Sequence, residues 1–173
     1  ILLNPGPVTL TARVRNALAA GDWCHREPEF AALICDINLR LTQVHGSLVQ
    51  DYSAVTLAGS GTSAVEAMLA SFAPEHSATL VVANGVYGER MQRMLAVHGK
   101  PHRIAEHAWT AGVDLAVIES CLERDPTITH LAIVHHETTT GRLNDIAAVG
   151  RLCQTRGLTL LLDAVSSFGA EQI

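Results

Sequence analysis

The residues best suited to chemistry sit where apolar runs end. Leu158–Gly169, LTLLLDAVSSFG, runs aliphatic residues straight into Asp163 and then into Ala164, Ser166, Ser167 and Gly169. Following Arg156-Gly157, such a run predicts a strand buried on both faces of a parallel sheet. A carboxylate at the end of that strand is costly to ionise unless a cation or hydrogen-bond donors face it. In open α/β sheets, the crevice outside the carboxyl ends of the strands is also where ligands bind. Asp163 therefore reads as a ligand-facing carboxylate, with an N-cap for a following helix as the plainer alternative.

Three further stretches occupy equivalent places. Ala58–Ala64, AGSGTSA, lies between a short predicted strand and a helix. Two glycines there let backbone N–H groups approach an anion, Ser60 and Thr62 add hydroxyls, and the helix dipole favours negative charge. The same letters fit a dinucleotide fingerprint with Ala64 in the third glycine place, but that reading needs an acidic residue after the next strand. Thr79–Ala83 ends instead in Asn84-Gly85, which argues against a nicotinamide site. In Asn84–Glu89, NGVYGE, Tyr87 stands between glycines where its ring can stack on a flat ligand or close a helix N-terminus. His135–Gly141, HHETTTG, offers an acid, histidines and three threonine hydroxyls. Adjacent histidines on an extended chain point to opposite sides, and H-E-x-x-H is absent, so a metal site is disfavoured.

Phosphate cradle, aromatic ring, hydroxyl cluster and buried carboxylate match the phosphate, flat ring, ring hydroxyl and ring nitrogen of pyridoxal 5'-phosphate. A carboxylate beside the pyridine nitrogen favours its protonated form, and a protonated ring is an electron sink.

The elements that must position these residues follow from periodicity and punctuation. Helices are expected over Thr11–Ala20 and from Pro28 to Gly46, the latter with Phe30, Leu33, Ile34, Ile37, Leu41 and Val44 at helical spacing. Beyond them strand and helix alternate. Strands are expected at Ala54–Ala58, Thr79–Ala83, His102–Ala105, Thr129–Val134 and in the Asp163 run. Helices are expected at Ser63–Phe72, Val86–His98, Asp114–Glu123 and Asn144–Arg156, with Asp114 and Asn144 as caps. That alternation means βαβ units: an α/β fold of three layers, with a mostly parallel sheet flanked by helices.

Size and charge bound the rest. At 173 residues and 48% hydrophobic content, the chain suits one domain with a sizeable core. A net charge of −5 argues against nucleic-acid or anionic-membrane binding. No apolar stretch approaches membrane-span length, and no signal peptide is evident. The scattered cysteines, Cys24, Cys35, Cys121 and Cys153, form no C-x-x-C pair, which favours reduced thiols and a cytoplasmic setting. Lys100 is the sole lysine. With no helix after the Asp163 strand, the chain reads as the leading part of a longer domain.

Taken in order, LLNPGPVTL, CHREPEF, GSGTSAVEA, NGVYGER, HHETTTGRLND and LLDAVSSFGA resemble the class V branch of fold-type I pyridoxal-phosphate aminotransferases. The resemblance runs along essentially the whole chain. ETTTG and DAVSSFG point within it to enzymes acting on 2-aminoethylphosphonate and pyruvate. It implies that residues 1–173 are part of the large cofactor domain, with 1–27 leading into it. It further implies phosphate contacts from Ser60, Gly61 and Thr62, stacking by Tyr87, Thr139 near the ring hydroxyl, and Asp163 on the ring nitrogen. The Asn4–Pro7 segment would approach the substrate side. The cofactor-bearing lysine and the small domain would lie beyond Ile173, since Lys100 matches no family motif. Arg26 and Arg142, with His25, His135 and His136, are the cationic candidates for a phosphonate. A homodimer with small-molecule substrates is implied. The alternatives are an alanine- or serine–glyoxylate aminotransferase, or a non-catalytic cofactor-binding or dimerisation piece.

Overall fold

The computed structural model describes residues 1–2, 4, 6–44, 46 and 51–173. The chain divides into two compact units, 1–58 and 59–171. In the first, α1 (Ala12–Ala17) is capped by Thr11, and α2 (Pro28–Thr42) starts on Pro28, whose missing N–H costs nothing in a first turn. Both helices are shorter than the apolar spacing suggests. The strand expected over Ala54–Ala58 is not formed: these residues carry no regular structure. Val55 and Thr56 favour extended backbone, but a strand without a hydrogen-bonded neighbour leaves its polar groups unpaired. Leu3 and Pro5 of the LLNPGPVTL stretch, and His45 at the expected end of α2, lie outside the described residues.

The second unit holds α3 (Gly61–Phe72), β1 (Ala78–Ala83), α4 (Val86–Val97), β2 (His102–Glu106), α5 (Leu115–Arg124) and β3 (Ile128–Val134). These are followed by β4 (His136–Glu137), β5 (Arg142–Leu143), α6 (Ile146–Arg156) and β6 (Thr159–Asp163). The main sheet has the order β2-β1-β3-β6 with every neighbouring pair parallel. Alternation along each strand divides the core. Leu80 and Val82 of β1, with Leu131 and Ile133 of β3, pack toward Ile118 of α5 and Val149 and Cys153 of α6. Val81, Ala132, Val134 and Leu161 face Val65 and Leu69 of α3 and Met91 and Leu95 of α4 on the other side. That is the three-layer α/β architecture expected. Burial pushes the Cys153 thiol up to about 11, so it behaves as a small apolar side chain.

The crossover through α4 runs from β1 outward to β2, whereas β2 returns through α5 to β3 on the far side of β1. Connections thus leave β1 and β3 in opposite directions and on opposite faces, which opens a crevice at their carboxyl ends. A two-stranded antiparallel hairpin, β4–β5, closes around the threonine run 138–140 just beyond β3. It was not expected, because two-residue strands carry no readable period.

Asp145, not Asn144, caps α6, its Oδ1 accepting from the Ala148 N–H at 2.9 Å. Asn144 is drawn into the interior instead. Asn84 Nδ2 donates to Asn144 Oδ1 (2.8 Å), and Asn144 Nδ2 donates to the Val134 carbonyl (2.8 Å). Asp145→Ala is expected to cost about 1 kcal/mol, read as a lowered urea midpoint with unchanged slope.

Candidate active site

The start of α3, the first turns of α4 after β1, and the carboxyl ends of β3 and β6 meet at one open-sided cavity of about 160 Å³. Its lining includes Ser60, Gly61 and Thr62 from the start of α3, Tyr87 and Arg90 from α4, and His136 and Thr138 beyond β3. Asp163, Val165 and Ser166 at the end of β6 complete the polar side, while Val65, Met91, Met94 and Val134 form an apolar floor.

At α3 the Ser60 Oγ accepts from the Ser63 N–H at 3.3 Å, so the cap satisfies the third donor of the helix. The N–H groups of Gly61 and Thr62, which have no partner within the helix, remain as first-turn donors beside the cavity. Arg90 Nη1 donates to Thr62 Oγ1 at 3.1 Å, and its guanidinium carbon lies 4.6 Å from the centre of the Tyr87 ring. One cation thereby ties the anion-binding turn to the aromatic residue through a hydrogen bond and a cation–π contact.

Asp163 is 6% exposed, and its Oδ1 accepts from the Val165 N–H at 3.0 Å. Burial raises its carboxyl above the ordinary value; the Val165 N–H lowers it, the nearby charge of Glu137 raises it, and Arg90 lowers it. A carboxylate so placed favours a cationic or hydrogen-bonding partner in the cavity. A protonated pyridine nitrogen is such a partner, and the first-turn donors of α3 with Arg90 suit a phosphate. The donor set therefore fits pyridoxal phosphate.

Of the residues expected at the site, Ser60, Gly61, Thr62, Tyr87 and Asp163 come together. Thr139 does not reach the lining; its hydroxyl donates to Glu137 Oε1 at 2.6 Å, and Thr138 faces the cavity instead. His136 lines the cavity; Arg142 donates to the Thr110 carbonyl (2.6 Å), away from it. Buried His135 has its ring pKa lowered by desolvation, and its backbone N–H donates to the Asp163 carbonyl. Lys100 precedes β2, at the amino ends of the parallel strands, where its Nζ donates to the Ala73 carbonyl (2.9 Å). At about 3.3 Å per residue, a five-residue strand holds it well away from a site at the carboxyl ends. Sequence reasoning missed Arg90 and, within the threonine run, took Thr139 rather than Thr138. Arg90 was detectable as the residue three positions after Tyr87 on a helix, hence on the same face.

These features define a three-layer α/β domain whose cavity at the strand ends combines anion donors, an aromatic ring and a buried carboxylate. Residues 37–172 match the DegT/DnrJ/EryC1/StrS aminotransferase family, and the chain belongs to this family of pyridoxal-phosphate-dependent aminotransferases. It is 41% identical over 172 residues to the 2-aminoethylphosphonate–pyruvate transaminase of Aeromonas hydrophila, covering 98% of this chain and 45% of that protein. It is 38% identical over 173 residues to the bifunctional phosphonoacetaldehyde hydrolase/aminoethylphosphonate transaminase of Clostridioides difficile, covering 27% of that protein. Among solved structures, alanine–glyoxylate aminotransferase from Nostoc sp. superposes with a TM-score of 0.87 at 30% identity, over 98% of this chain and 44% of that one. Its structural neighbours include class V aminotransferases, as the motifs implied. The chain spans less than half the length of these relatives. No helix among the described residues is long and apolar enough to cross a membrane.

Proposed function

We propose that the complete protein transfers the amino group of 2-aminoethylphosphonate to pyruvate, forming phosphonoacetaldehyde and alanine. The observation that carries the cofactor part of this reading is Asp163, buried at the end of β6 in one cavity with the first turn of α3 and Tyr87. The substrate part is supported by 38–41% identity, along essentially the whole chain, to proteins named for that transamination. On this reading the lysine that carries the cofactor, and the small domain, lie beyond residue 173. Residues 1–173 then form part of the cofactor domain of a cytoplasmic homodimer.

Within this chain the roles divide by location. The Gly61 and Thr62 N–H groups and the Ser60 and Thr62 hydroxyls hold the phosphate at the positive end of α3. Tyr87, backed by Arg90, would offer its ring for stacking. Asp163 would favour the protonated form of the ring nitrogen. Thr138, which faces the cavity, would offer its hydroxyl to the ring substituents. The apolar floor of Val65, Met91 and Val134 would exclude water from that side of the cavity. When bound, pyridoxal phosphate supplies the electron sink for deprotonation at the amino carbon.

The test is a half-reaction on the protein carried through the length of its relatives. Added alone, 2-aminoethylphosphonate is expected to shift the visible cofactor band to that of the aminated form, and pyruvate to reverse it. A band that responds to alanine or serine but ignores the phosphonate would move the substrate to the glyoxylate-linked group. Absence of any cofactor band would overturn the transaminase reading.

A further inference from the structure

Glu137 is fully buried, yet among the described residues it takes part in no ion pair. A buried carboxylate is costly to keep, so its position calls for an account. Its oxygens are divided between two walls of the cavity. Oε2 accepts from the Tyr87 N–H (3.1 Å) in the first turn of α4, where the helix dipole favours a negative charge. Oε1 accepts from the Thr139 hydroxyl (2.6 Å) and the Thr139 N–H (3.4 Å). The Glu137 carbonyl accepts from the Thr140 N–H (3.2 Å), so the same residue also anchors the turn that presents Thr138. Room for this comes from Gly85: a Cβ there would stand 2.3 Å from Glu137 Cγ and 2.4 Å from its Cδ. The carboxylate is therefore seated against the backbone of one wall while its other oxygen holds the opposite wall. Residues 50 positions apart are joined by one side chain.

We infer that Glu137 is a positioning residue for the cofactor site, fixing Tyr87 and the Thr138–Thr139 turn relative to each other. This rests on the proposed cofactor reading and adds to it a residue that touches neither ring nor phosphate. The role requires two acceptor oxygens. Glutamine preserves the shape but offers one acceptor and one N–H2 group, so either the Tyr87 N–H or the Thr139 pair faces a donor.

The experiment is a double-mutant cycle on the full-length protein, reading pyridoxal-phosphate affinity and the induced circular dichroism of the bound ring. Glu137→Gln is expected to weaken cofactor binding about tenfold to a hundredfold and to change the dichroic band. In a Tyr87→Ala background the same substitution should lose the part of its effect that passes through the Tyr87 ring, so the loss should be clearly smaller than in wild type. Affinity for inorganic phosphate, which reads the α3 turn alone, should stay within about twofold of wild type. Equal losses in both backgrounds, a matching loss of phosphate affinity, or no effect of Glu137→Gln would each overturn the inference. If Glu137→Gln does not fold, Thr139→Val removes the hydroxyl donor to Oε1 while keeping the carboxylate. It should shift the dichroic band in the direction of looser stacking, and an unchanged band overturns the inference. A wild-type protein that binds phosphate but never develops a ring signal overturns the cofactor reading as well. A normal ring signal in both Glu137→Gln and Thr139→Val overturns the positioning role alone.

Discussion

Replacing Asp163 by asparagine in the full-length protein should lower transamination by about 10²–10³-fold or more while leaving the cofactor bound. Asparagine keeps the size of the side chain and can still accept from the Val165 N–H. It carries no charge, so nothing in the cavity holds the ring nitrogen protonated and the electron sink weakens. The same substitution has an opposite effect on stability. Burial raises the Asp163 carboxyl above its unfolded value, so its native form binds the proton more tightly than the unfolded chain does. The stability this contributes is complete below the unfolded carboxylate range, around pH 4, and is lost as pH rises through the native value. At pH 7 the aspartate therefore contributes less stability than in acid until a cation arrives in the cavity. Cofactor-free Asp163→Asn should melt at or above the wild-type temperature at pH 7, with the difference vanishing on acidification. Measuring kcat on loaded protein and melting of cofactor-free protein between pH 4 and 8 checks both halves. A variant that turns over normally, or that melts lower at pH 7 than at pH 4 relative to wild type, contradicts the assignment.

Much of this arrangement was readable because it is local. The β6 run into Asp163, the Gly-Ser turn before α3 and the strand–helix alternation each lie within about ten residues, where periodicity and capping act. What sequence could not show depends on partners far along the chain. Asn144 looks like a helix cap until Asn84, 60 residues away, engages its amide in the core, leaving the cap to Asp145. Ala54–Ala58 has strand-forming residues but pairs with no strand among the described residues, and pairing is the stabilising unit of a sheet. Glu137 reads as one acid in a polar run, yet it is fully buried because α4 leaves room for it at Gly85. That also turns the Thr139 hydroxyl toward Glu137 and leaves Thr138 on the cavity. The site's residue types were legible; which of two adjacent threonines faces inward was decided by a contact across the fold.

The largest structural effect is expected at Gly88, inside α4. Glycine in a helix interior is ordinarily a liability, and alanine there should gain about 0.5–1 kcal/mol from backbone entropy alone. Here packing opposes that gain. A Cβ on Gly88 would lie 2.7 Å from Ala83 Cα, 3.0 Å from Ala83 Cβ and 3.0 Å from the Val82 carbonyl oxygen. Two of these three neighbours are backbone atoms of the strand end, which cannot rotate away as a flexible side chain would. Relief requires α4 to lift from β1, and α4 buries Met91 and Leu95 against Val81 and Ala132. Forcing an extra methyl into a packed interface typically costs about 1–3 kcal/mol, which outweighs the helical gain, and valine adds two further carbons. Gly88→Ala should therefore destabilise modestly and Gly88→Val by about 3 kcal/mol or more, measured by urea denaturation. Because Tyr87 and Arg90 ride on the same turn, pyridoxal-phosphate affinity should fall in parallel with stability along this pair of variants. Stabilisation by Gly88→Ala would mean that α4 shifts freely, and with it that Tyr87 is not held where the cavity places it.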